Sequence, residues 1–102
     1  MGSWCLTVRK KNLRKLAKGK PCQVRIPHHC SFDDSTTVLA HIRRGGVAGM
    51  GQKPPDLCGV WACHRCHDII DGRVSYPYAD LEQHMLEGLC RTLAAVSKEI
   101  NV

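Results

Sequence analysis

The chain of 102 residues has no long hydrophobic run, and that absence sets the first limits. No segment approaches the roughly 20 apolar residues that span a bilayer. The opening stretch, Met1 to Arg9, has no apolar run of signal-peptide length, so a cytoplasmic protein with no membrane partner is expected. Aromatic residues are also scarce, at 5% of the composition, so the core must be aliphatic and thin. A domain of this size buries only about two-thirds of its unfolded surface, and a metal staple would compensate for a thin core. Acidic residues are nearly missing from the first half. Residues 1–51 hold ten Lys/Arg against Asp33 and Asp34 alone, whereas residues 52–102 hold five against seven Asp/Glu.

Cysteine, by contrast, is plentiful and odd in number: seven, which leaves one over in any all-disulfide scheme. In a reducing compartment a clustered cysteine set reads as metal-binding. Cys63 and Cys66 have the two-residue gap that lets both sulfurs reach one ion, and Cys22 and Cys30 offer a looser second pair. Together they make a four-sulfur structural zinc site joining segments far apart in the chain. The plainer alternative is four ordinary buried thiols. Cys5, Cys58 and Cys90 lack a partner at ligand spacing and read as small hydrophobes. Cys63-x-x-Cys66-His67 also matches a haem-attachment signature, but that needs export, which nothing here supports.

Punctuation and periodicity divide the chain into an extension over 1–11 and one domain over 12–102. Asn12 can cap a short basic helix, Leu13 to Lys18, ended by Gly19. Cys22 to Cys30 carries Pro27 and reads as a loop. Ser35 to Ile42 is β-branched and apolar, the best strand candidate, and Val60-Trp61-Ala62 reads as a second. Between them lies a Gly/Pro-rich loop from Gly45 to Asp56. His67 to Asp71 can form a turn or two of helix, stopped by Gly72. Asp80 with Gln83 resembles a capping box opening the longest helix, whose stripe is Leu81, Met85, Leu89, Leu93, Val96 and Ile100.

Two histidines are surplus to the sulfur site. His41 ends the first strand. His67 sits four residues before Asp71, so imidazole and carboxylate share a helix face and suit a hard divalent ion or a simple hydrogen bond between them. Seven basic residues crowd Arg9 to Lys20. They are either a solvated helix face or a footprint for nucleic-acid phosphates, for which a pI near 9.1 is suited.

The blocks Lys20-Pro-Cys-Gln-Val-Arg-Ile-Pro27, Val38-Leu-Ala-His-Ile-Arg43, Gly51-Gln-Lys-Pro-Pro-Asp-Leu57 and Ala62-Cys-x-x-Cys-His-Asp68, in this order, resemble the YbcO-like family of prophage nucleases. More broadly they resemble HNH endonucleases of the ββα-metal type. The resemblance implies an α+β fold: a small zinc-stapled ββα finger between a short N-terminal helix and a long C-terminal one. It implies that His41 is the general base and that His67, with Asp71 one turn on, holds a catalytic Mg2+, Mn2+ or Zn2+ ion. Ala40 stands where such motifs place a further ligand, and no asparagine lies between His41 and Cys63. Asp56 is then the group to orient the base.

The function expected is metal-dependent hydrolysis of DNA phosphodiesters in phage or prophage DNA recombination or processing. Arg43 and Lys53 would contact phosphates. The alternative is a non-catalytic zinc-stapled nucleic-acid-binding module, which gives His41 and His67 no chemistry.

Overall fold

The computed structural model describes residues 13–43 and 54–99. Within them lie three α-helices, α1 (Leu13–Ala17), α2 (His64–Ile70) and α3 (Leu81–Glu99), and two strands, β1 (Val38–His41) and β2 (Gly59–Ala62). The strands pair antiparallel in the register Val38–Ala62, Leu39–Trp61, Ala40–Val60, His41–Gly59. The result is a small α+β fold in the order strand, strand, helix, flanked by a helix at each end. Asn12, Lys53, Ile100 and nearly all of the glycine loop lie outside the described residues.

Side-chain alternation along the strands serves two cores. Ala40, Val60 and Ala62 join Cys22, Val24, Ile26, Cys63, Cys66 and Ile69 in one apolar cluster. Trp61 points the other way, into a smaller cluster with Leu13 and Ala17 of α1 and Val96 of α3, against which Leu39 packs. All four residues of β2 are buried, so its outer backbone edge needs partners. Gln23 N–H donates to Trp61 O at 2.7 Å, and Trp61 N–H donates to the buried Thr92 hydroxyl at 3.0 Å.

Several boundaries differ from those expected. β1 starts at Val38 rather than Ser35, because Asp33 accepts from Ser35 N–H and winds Asp34–Thr36 into a 3-10 turn. α2 starts at His64, three residues early, because the Cys63 sulfur accepts from Cys66 N–H and caps the helix. The capping box at α3 does not form: the Asp80 carboxylate takes the Tyr76 hydroxyl, and Gln83 reaches forward to Glu87. The buried stripe of α3 is Met85, Gly88, Thr92 and Val96, and Leu93 is exposed. Cys90 is exposed as well, so it is no core hydrophobe.

Gly88 seats α3 on the cysteine loop. A Cβ there would lie 3.0 Å from both Cα and Cγ2 of Val24, a buried residue two positions from Cys22. In an open helix Gly→Ala stabilises by about 1 kcal/mol. Here the neighbour is backbone in a loop tied at both ends, so overpacking of ~1–3 kcal/mol should win. Gly88→Ala is expected to lower the melting temperature, as thermal unfolding followed by circular dichroism would show.

Candidate active site and metal centre

Three segments deliver the sulfurs. The loop Cys22–Cys30 supplies two, the residue after β2 supplies Cys63, and the first turn of α2 supplies Cys66. All four Sγ atoms lie within 4.8 Å of one another, and Cys63 Sγ is 3.8 Å from Cys30 Sγ. A tetrahedral ion with metal–sulfur bonds of about 2.3 Å requires sulfurs about 3.8 Å apart. These four cysteines can therefore hold a structural metal such as zinc.

The backbone around the sulfurs fits that purpose. Phe32 N–H and Ser31 N–H donate to Cys30 and Cys63 at 3.4 Å each, and Cys66 N–H donates to Cys63 at 3.5 Å. Val24 and Arg25 amides serve Cys22, and the Ile26 amide serves Cys66. Such wrapping requires Arg25 and Phe32 to adopt φ of 54° and 53°, a left-handed conformation uncommon without glycine. Amide donors on every sulfur favour thiolates over thiols.

Without a cation the four sulfurs must share protons. The Cys66 thiol bonded to Cys22 holds Cys22 down at about 4, and the same bond together with burial pushes Cys66 up. Burial raises Cys30 to about 11. At Cys63 burial also pushes upward, but the Ser31 hydroxyl and the Ser31 and Cys66 amides outweigh it. A divalent ion would remove this conflict by displacing the shared protons and coordinating all four thiolates at once, with the amide donors offsetting the net negative charge that remains.

His41 closes β1, and its Nε2 lies 2.8 Å from Asp56 Oδ1, in the 3-10 turn Asp56–Cys58 that leads into β2. The same oxygen accepts from Arg14 Nε of α1 at 3.3 Å. The His41 imidazole, opposed by burial and then aided by the Arg14 guanidinium, holds the Asp56 carboxyl below the usual range. An ionised Asp56 in turn fixes Nε2 as the donor nitrogen of His41 and leaves Nδ1 with its lone pair. The His41 side chain is 12% exposed, so its ring is held rather than swinging in solvent. By alternation it shares the side of β1 on which Leu39 packs toward α1.

His67 and Asp71 form a second pair. His67 Nε2 lies 3.0 Å from Asp71 Oδ2, and each side chain is 26% exposed. Asp71 ends α2, its N–H bonded to His67 O, so one helix turn aligns the two groups. Arg73 approaches the same carboxylate at 3.5 Å. Apart from the four sulfurs, no group of three or more His, Cys, Asp or Glu ligands converges among the described residues. An ion at His67 and Asp71 would thus have two protein ligands and open positions. Arg43 is exposed just beyond β1, and Lys53 lies outside the described residues. Sequence reasoning missed Arg14, whose contact with Asp56 spans 42 positions and carries no motif.

A family model described as "Putative nuclease YbcO" matches residues 11–101. The chain belongs to the YbcO family. It is 48% identical over 89 residues to a YbcO protein of Escherichia coli K-12, itself called a "Putative nuclease", which covers 86% of this chain and 93% of the relative. A YbcO protein of Enterobacteria phage 82 matches to the same extent. Among solved structures, a chain described as a "putative bacteriophage protein" from Escherichia coli K-12 superposes with a TM-score of 0.71 at 42% identity. That match covers 87% of this chain and all of the other. The relatives tie the family to phage genomes. No helix among the described residues is long and apolar enough to cross a membrane.

Proposed function

We propose that this YbcO-family chain is a metal-dependent endonuclease of the HNH type that hydrolyses DNA phosphodiesters, with a four-cysteine zinc holding the strand–strand–helix unit together. The observation that carries the proposal is the His41–Asp56 pair: a partly buried imidazole at a strand end, fixed through Nε2 by a carboxylate. The two YbcO relatives, each described as a "Putative nuclease", point in the same chemical direction.

In this reading His41 Nδ1 takes a proton from a water as its oxygen attacks phosphorus, and the bond to the departing deoxyribose oxygen breaks on the opposite side, that oxygen taking a proton from solvent. Asp56 keeps the ring in the correct tautomer and steadies the positive charge it gains. Arg14 holds Asp56 in place. A hard divalent cation held by His67 and Asp71 would neutralise charge on the phosphate. Arg43 and Lys53, together with the basic segment 9–20, would supply phosphate contacts independent of base sequence. A role in recombination or processing of phage DNA fits the phage relatives.

Supercoiled plasmid should be nicked in the presence of Mg2+ or Mn2+ and left intact in their absence. His67→Ala should shift the metal concentration needed for half-maximal rate upward by about tenfold, as expected for loss of one of few ligands, while zinc content stays the same. Absence of nicking under every metal condition would remove the enzyme reading. The scarcity of ligands beyond the sulfurs favours one second reading, a zinc-stapled module that binds nucleic acid without cutting it. Tight DNA binding with no nicking would select it.

A further inference from the structure

Away from the His41 pair, the surface of the cysteine loop carries a cluster that the proposed chemistry does not use. His29, Tyr76 and Tyr78 form a continuous edge-to-face series, with ring centroids 5.5 Å and then 5.3 Å apart and interplanar angles of 73° at each step. They line a groove of about 320 Å³ with Pro27, His28 and Asp80. His29 also borders an adjoining cavity of about 230 Å³ lined by His64, Arg65, Asp68 and Val74.

Four observations give this groove a ligand chemistry. The first is economy: aromatic residues are few, yet of the four described, Tyr78 is 64% exposed and Phe32 72% exposed, leaving Trp61 as the buried one. Rings of that size are ordinarily placed inside. The second is rigidity. The Tyr76 hydroxyl donates to Asp80 at 2.7 Å, and Asp80 also faces His84 at 3.2 Å, so the central ring is locked from behind. The third is charge. Arg65 makes no ion pair among the described residues, whereas Asp68 in the same cavity is met by Arg73. The fourth is position: Arg65 lies in the first turn of α2, the helix that also carries His67.

The geometry points to a stacking platform for an unpaired nucleobase, with the Tyr78 ring as its exposed face and the Arg65 guanidinium as a contact for the adjoining phosphate. A base in a duplex hides both faces in the stack, so only a single-stranded or extruded nucleotide can use such a ring. This deepens the nuclease proposal by assigning it a substrate that carries unpaired nucleotides, and it rests on that proposal for the choice of nucleic acid as ligand.

The test is fluorescence anisotropy with zinc-loaded full-length protein, no other divalent ion, and a labelled oligonucleotide offered as single strand or duplex. Tyr78→Ala is expected to weaken single-strand binding about tenfold or more while duplex binding changes less than about twofold. Tyr78→Phe, which keeps the ring, should bind as the parent does. Because Tyr78 lies on the surface, zinc content and melting temperature should be unmoved. Equal weakening of both ligands, or no weakening, overturns the platform. The two proposals fail separately: the expected binding pattern without any nicking defeats the nuclease alone, whereas nicking with unaltered single-strand affinity in Tyr78→Ala defeats the platform alone.

Discussion

Cys63→Ser is expected to lose the metal and the cooperative fold together. Cys63 is fully buried, touches Cys30 Sγ at 3.8 Å, accepts amides from Ser31 and Cys66, and caps α2 with the same sulfur. A serine oxygen is a poorer and shorter ligand for a soft-ligand site. Structural zinc is bound with apparent free energies of about 10–16 kcal/mol, comparable with the whole stability of most small domains, which is about 5–15 kcal/mol. The expected result is about one zinc per chain in the parent, little in the variant, and no sigmoidal melt in the variant. Titrating the parent with a strong chelator should reproduce the same loss. A metal-free parent that still melts cooperatively would reduce the cluster to packed thiols.

His41→Ala should act in the opposite manner, leaving the fold intact and abolishing cleavage. Removing a positioned general base typically costs ~10²–10⁴ in rate. The ring is a member of neither apolar cluster and lies apart from the four sulfurs in sequence, so zinc content should not change. Loss of its partner leaves the half-buried Asp56 carboxylate paired with Arg14 at 3.3 Å. Asp56→Asn should give a smaller loss, because the amide can still meet Nε2 but no longer favours a cationic ring. Single-turnover nicking at saturating metal separates these effects from metal affinity. A His41→Ala protein that cuts at the parent rate would remove the mechanism.

The parts of this fold that could be read from the chain are those set by spacing over a few residues. The gap between Cys63 and Cys66 fixes a knuckle. The run Val60-Trp61-Ala62 is apolar enough to be a buried strand. The seven-residue gap in the first cysteine pair and the position of His41 were legible for the same reason. What escaped depends on partners distant in sequence. Thr92 is buried because its hydroxyl completes the edge of β2, and hydropathy assigns it to the surface. Leu93 looks like core by periodicity but lies outward, because the buried stripe follows Gly88 and Thr92 instead. Arg14 reads as one more charge in a basic helix until the 3-10 turn brings Asp56 to it. The tyrosine groove was missed because Tyr76 and Tyr78 sit in a Pro-containing stretch with no period to mark them.

The span of the sulfur cluster has a consequence for the timing of maturation. Cys30 and Cys63 stand 33 positions apart. At translation speeds of ~5–20 residues per second, the first two sulfurs leave the ribosome about 2–7 s before the second two. If the cluster takes up zinc as proposed, the first pair alone would be a half-site during that interval, able to hold an ion only weakly. The second pair arrives immediately behind β2, so tight capture of the ion would coincide with the pairing of the two strands. Ion selection and sheet formation would then be one late, joint step, and a nascent chain stalled within the glycine loop should carry no tightly held zinc.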